Sequence, residues 1–174
     1  LLSAHPHLKN TQIRSIILET SSNSKNPNNQ TGYGIISAKN AIEFPNLENV
    51  NGNYILHKTF LDDNIIASSV NIVFQIADDL FEAFPMIKSS DYDFTYTIPI
   101  KNAGELVEFS IVYSDSQNNS YIIPQTGKYK FNYGSDIISL NVDIENPNLN
   151  YEVSDFYPNP FIPFKHKATR INYI

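Results

Sequence analysis

Four histidines, His5, His7, His57 and His166, are the side chains of this sequence with the widest chemical range. A neutral imidazole ligates metal ions or takes up a proton near pH 7. His5 and His7 stand two apart around Pro6, a spacing that does not place both on one helix face, and no carboxylate neighbours them in the sequence. His57 and His166 are isolated within presumed strands. All four read as structural or solvated. The acidic positions Asp62-Asp63, Asp78-Asp79 and Asp91/Asp93 offer hard oxygens of the kind calcium takes, but they lack the fixed ligand offsets and turn glycine of a calcium loop. They read as solvated strand ends and turns. Ser3, Ser15 and Ser37 have no base within motif distance, and Ser37 stands where a helix wants a capping hydroxyl. Cysteine is absent, which removes thiolate ligands and disulfides. The residues themselves assign no catalytic, cofactor-binding or metal position within this chain.

The elements that must hold these side chains change character along the sequence. Ile13, Ile16 and Ile17 recur at helical spacing over residues 11–20, with Thr11 or Asn10 as the N-cap. A polar loop over Ser21–Thr31 leads to a short strand and a second helix in "GYGIISAKNAIEFP". Ser37 caps that helix, Ala38, Ala41 and Ile42 form its apolar stripe, and Pro45 ends it. From about Asn51 the pattern becomes short aromatic and β-branched runs, "NYILHKTF", "SVNIVFQIAD", "YDFTYTIPI", "LVEFSIVYSD" and "GKYKFNYG", separated by Asp, Asn, Gly and Pro. Val70, Ile72, Phe74 and Ile76 alternate with Asn71 and Gln75, with Val73 the exception. Strands at this spacing predict a small antiparallel sandwich. "DSQNNS" at 115–120 predicts a hairpin connection with Asn118 or Asn119 in the left-handed conformation. Tyr92, Phe94, Tyr96, Phe109 and Tyr113 fit either a carbohydrate-binding face or a sandwich core, and the shared strand face of the first three favours the core.

Composition narrows the functional classes. The 174 residues are 41% hydrophobic and 17% charged, with eleven Tyr, eleven Phe and no Trp. That supports a globular, strand-rich protein. A formal net charge of −6 with no basic cluster argues against a nucleic-acid partner and against anionic membrane surfaces. No apolar run reaches the roughly 18 residues of a membrane-spanning helix.

Four pieces in the first 44 residues occur in a known order: Leu1-Leu2, His5-Pro6-His7-Leu8, Gln12-Ile13-Arg14, and Gly32-Tyr33-Gly34-Ile35-Ile36-Ser37-Ala38-Lys39-Asn40-Ala41. This stretch resembles the C-terminal end of the catalytic domain of subtilisin-like serine peptidases. The resemblance implies that Leu1-Leu2 is the tail of the helix carrying the nucleophilic serine. The serine, histidine, aspartate and oxyanion-hole asparagine would then all precede Leu1, leaving this chain inactive by itself, with calcium a candidate cofactor of the parent only. It also implies that Ile13, Ile16, Ile17, Ile35 and Ile36 lack partners and leave an apolar patch.

Two further resemblances follow along the chain. Tyr96-Thr97-Ile98-Pro99, then Gly104, Val107, Phe109, Ile111, Asp115 and Asn119, then Pro124, Tyr129 and Phe131 resemble the immunoglobulin-like modules of secreted bacterial enzymes. Tyr157-Pro158-Asn159-Pro160-Phe161-Ile162-Pro163 with Thr169-Arg170-Ile171-Asn172-Tyr173 resembles the start of a C-terminal sorting domain, although Phe164-Lys165-His166-Lys167 departs from the usual small polar residues. The expected organisation is peptidase remnant 1–44, linker 45–52, immunoglobulin-like β-sandwich 53–134, linker with one strand 135–153, and truncated sorting domain 154–174 with an unpaired strand at 168–174. The fold class is thus mixed, a helix-strand-helix remnant of an α/β domain followed by an all-β module. The implied parent is a secreted or cell-surface bacterial serine endopeptidase. Its partners would be protein or peptide substrates and, through the C-terminal domain, secretion machinery. The alternative is a noncatalytic surface adhesin or binding module in which residues 1–44 are a helical cap.

Overall fold

Strand alternation dominates what forms. A computed structural model describes residues 1–77, 80–135 and 140–142 of the chain. Leu1–Ile144 form one compact unit. The expected sorting-domain segment, including His166 and the strand at 168–174, lies outside the described residues, as do Asp78 and Asp79.

Two short helices come first, α1 (Asn10–Glu19) and α2 (Ala38–Glu43). Lys9, not Thr11 or Asn10, caps α1, because the Gln12 side chain accepts the Lys9 N–H at 2.9 Å while the Lys9 carbonyl opens the helical hydrogen bonding. Ser37 caps α2 through the Asn40 N–H at 3.2 Å, and Phe44 turns extended before Pro45. The strand expected between the helices does not form. Gly32 and Gly34 hold positive φ of 56° and 83°, and the hydrogen bonds here are local, Ile35 with Ser22 and Tyr33 with Asn23. A helix-strand-helix remnant is therefore not what residues 1–44 adopt; they are two helices joined by an irregular loop. A side chain at Gly34 would collide with Ser22 and Asn23, so the loop needs glycine there for space as well as for φ.

The strands are β1 (Asn46–Val50), β2 (Asn53–Thr59), β3 (Asn71–Ala77), β4 (Leu80–Pro85), β5 (Ile87–Lys88), β6 (Asp93–Thr97), β7 (Leu106–Ser114), β8 (Ser120–Ile123), β9 (Tyr129–Asn132) and β10 (Asn141–Val142). They build two antiparallel sheets, one ordered β1-β2-β6-β5 and the other β10-β9-β7-β3-β4 with β8 paired to β7. Residues 45–52, expected as a linker, instead supply β1 and its turn. Asn51 and Gly52, both at positive φ, close the β1–β2 hairpin in two residues, the geometry whose twist matches the flanking strands. Asn118 (φ 63°) takes the left-handed position in the β7–β8 connection.

One core lies between the sheets. Leu47, Tyr54, Leu56 and Phe94 from the first meet Ile72, Phe109, Ile111 and Phe131 from the second, with Tyr54 and Phe131 ring centroids 5.3 Å apart. Phe94, Phe109 and the half-buried Tyr96 and Tyr113 belong to this core, whereas Tyr92 is exposed. A smaller cluster of Leu8, Ile16 and Ala41 joins the two helices.

Candidate functional site

The site begins with an edge strand. β1 ends the first sheet, and an unpaired edge needs cover. Helix α1 provides it: Gln12, buried, donates its amide N–H to the Leu47 carbonyl at 2.6 Å. Gln12→Leu leaves both that carbonyl and the Lys9 N–H without their partner. The expected cost is about 1–3 kcal/mol, read as a lower denaturation midpoint and faster amide exchange along α1; an unchanged midpoint would show that the bond contributes nothing.

Docking α1 on the β1 edge places the residues before it on the sheet's outer face. Leu47, Tyr54 and Leu56 point to the core, so alternation turns Asn46, Glu48 and His57 outward. The register sets Asn46 opposite His57, which makes Glu48 the diagonal neighbour of His57. His7 lies over this pair. Its ring stacks on that of His57 with centroids 4.4 Å apart and planes inclined by 25°, and its Nε2 bonds the buried Asn46 Oδ1 at 2.6 Å. His57 Nε2 bonds Glu48 Oε2 at 3.1 Å, with side chains 20% and 33% exposed respectively. The ligating atoms of His7, Glu48 and His57 all lie within 4.8 Å of one another. Burial, followed by the neighbouring His7, pushes the His57 pKa down despite Glu48. His5 is buried behind this group, with Nε2 on the Ile42 carbonyl at 2.9 Å, and burial lowers its pKa too. The neutral form of His57, the one that ligates metals, is thereby favoured.

The other residues weighed from sequence go elsewhere. The hydrogen bonds of His5, His7 and His57 run to Ile42, Asn46 and Glu48, so none of these imidazoles is paired with Ser3, Ser15 or Ser37. Asp62 accepts two bonds from Asn64 in its own loop. Asp93 is held by Thr59 at 2.6 Å and Ser90 at 2.7 Å, and Asp63 and Asp91 are exposed. Asp115 organises its hairpin through the Gln117 and Asn119 N–H groups and the Tyr121 hydroxyl, and these bonds, that from the Asn119 side chain first, lower its pKa. A separate open cleft of about 480 Å³ is lined by Glu43, Lys58, Phe60, Asp62, Tyr113 and Tyr121. The Lys58 ammonium sits at its inner wall, bonded to the Glu43 carbonyl and 4.4 Å from the Phe60 centroid.

Sequence reasoning found His7 and His57 singly and missed their meeting and Glu48. A usable signal was the Asn-Gly at 51–52, which marks a two-residue hairpin and with it the pairing register that sets Glu48 beside His57. No protein-family model matches the chain, and no curated protein matches it either. Its class is thus defined by its own geometry: two antiparallel sheets, an edge-covering helix, and a His-Glu-His group on the covered face. Among the described residues no helix is long and apolar enough to cross a membrane.

Proposed function

We propose that this chain is a C-terminal portion of a secreted bacterial subtilisin-like serine endopeptidase, with residues 1–44 closing the catalytic domain and the two sheets forming an immunoglobulin-like accessory module. The parent hydrolyses peptide bonds in protein substrates through an acyl-serine formed on residues that precede Leu1. The single observation that supports this most is the apolar strip that follows the two glycines. Ile35 and Ile36 are 79% and 61% exposed in the loop beside the exposed Tyr33, where the family pattern has a strand covered by the rest of its domain. Ile16 is buried and Ile13 and Ile17 are half-buried, so only part of the expected patch is bare.

A second reading, a noncatalytic binding module, draws support from the way residues 1–44 dock on the first sheet through Gln12 and His7. The reading frame upstream of the Leu1 codon separates the two. An in-frame Gly-Thr-Ser serine motif within about one helix length is expected, together with fluorophosphonate labelling of the longer product and none of this chain. A frame without that motif overturns the peptidase reading and leaves the binding module.

A further inference from the structure

We propose that His7, Glu48 and His57 bind one divalent transition-metal ion, of which Zn²⁺ is the best match, and that the ion ties the segment before α1 to the outer face of the first sheet. The inference is independent of the peptidase reading, since it rests only on atoms of this chain.

Three features carry it. The first is convergence: three ligands come from three separate segments, and their donor atoms fall within 4.8 Å of one another. Around a tetrahedral Zn²⁺ with bonds near 2.0–2.2 Å, neighbouring donors stand about 3.3 Å apart. His57 Nε2 and Glu48 Oε2 are already at 3.1 Å. A proton now joins those two atoms; the ion would take its place, the proton passing to His57 Nδ1 or to water.

The second feature is the orienting partner. The Asn46 Oδ1 can only accept, so the hydrogen of His7 sits on Nε2 and its Nδ1 carries the lone pair. Asn46 is buried and its own Nδ2 reaches the Phe44 carbonyl at 3.5 Å. A ligating histidine whose other nitrogen is fixed by an amide oxygen is the usual arrangement around zinc.

The third is ligand chemistry and access. Two imidazoles and one carboxylate suit zinc and disfavour calcium, which takes six or more oxygens. Partial exposure of Glu48 and His57 leaves a route for the ion and a place for water as fourth ligand. A plain His57–Glu48 ion pair accounts for two of these side chains, and the stack on His57 with the Asn46 bond places His7; binding the ion requires the His7 ring to turn out of that stack so that Nδ1 and His57 Nε2 face one centre.

The test uses the full 174-residue chain, stripped with chelator and titrated with Zn²⁺ alone. One ion per chain is expected, with a rise in unfolding temperature, because the folded state alone presents the assembled site. Co²⁺ in its place is expected to give the intense visible absorption of a four-coordinate ion. Histidine-selective ¹H–¹⁵N spectra are expected to show Zn²⁺-induced shifts on His7 and His57 and none on His5. Glu48→Gln, His7→Asn and Asn46→Ala are each expected to weaken binding at least about tenfold. Glu48→Gln keeps the shape of a partly exposed side chain, so its folding can be confirmed by circular dichroism even where a histidine variant unfolds. The proposal is overturned by no saturable 1:1 binding, by nitrogen shifts on other histidines, or by a folded Glu48→Gln chain that binds as tightly as the unchanged one.

Discussion

Phe109→Ala is expected to lower the unfolding free energy by about 3–5 kcal/mol, a large share of the roughly 5–15 kcal/mol that holds an ordinary domain together. Phe109 is fully buried, at 0% exposure, on the strand that organises the second sheet. β7 pairs with β3 on one side and with β8 and β9 on the other, and Phe109 itself stands opposite both Phe74 and Tyr129. Its ring lies 6.2 Å from that of Phe74 and 5.5 Å from that of Tyr129. Removing it opens a cavity bounded by aromatic rings that cannot collapse without shifting two strands. Urea titration reads the loss directly. Phe81→Ala, on the exposed face of β4, is the contrasting variant and is expected to change stability by less than about 0.5 kcal/mol. A loss below about 1.5 kcal/mol for Phe109→Ala would show that the core is not centred on β7.

Lys58→Met is expected to alter the pH dependence of stability as well as its size. Lys58 is 5% exposed, and burial, opposed by Glu43, brings its pKa down from 10.5 to about 8. Between those values the unfolded chain holds more protons than the folded one, so stability rises with pH. Below about pH 8 the folded state carries the whole penalty of a buried ammonium, on the order of 3 kcal/mol. Tyr129 works in the opposite sense. Burial raises its hydroxyl far above the ordinary 10.0, so above about pH 10 the unfolded chain loses a proton that the folded one retains, and stability falls. A maximum near pH 10 follows. Lys58→Met is expected to abolish the rise between pH 8 and 10 and to gain about 1–2 kcal/mol at pH 7, less than the full penalty because the Glu43 carbonyl loses its donor and the Phe60 ring its cation. Thermal denaturation at pH 7, 8, 9 and 10 tests this. A variant that keeps the rise would assign it to another group.

Where a strand is half-buried and alternating, its residues announce it, as Ile72 and Phe74 do along β3 or Tyr54 and Leu56 along β2. The strands that went unread lack that signature for physical reasons. "NLENV" of β1 has no aromatic or β-branched residue before Val50 and forms because β2 offers it a partner across a two-residue turn. "LFEAFP" of β4 ends on a proline, which an edge strand tolerates and a sequence pattern penalises. The opposite error at residues 34–37 has the same root. Ile35 and Ile36 have strand-like types, but no neighbouring strand is at hand among the described residues, and a strand is a property of a pair. The grouping of His7, Glu48 and His57 was illegible for a related reason. Positions 7, 48 and 57 have no meaningful spacing until the hairpin register and the α1 contact bring them to one face.

That contact orders events in time. Residues 1–44 leave the ribosome ahead of Asn46, Leu47 and His57, the positions that anchor them, and synthesis runs at about 5–20 residues per second. A ten-residue helix has little stability alone, and for a period on the order of seconds Gln12 and His7 are without the Leu47 and Asn46 groups they bond. The sheet that carries those partners gains β6 beside β2 only after residue 97 has emerged. Residues 1–44 are thus synthesised before the strands they dock on, and a pause in translation anywhere between β1 and β6 lengthens their wait equally.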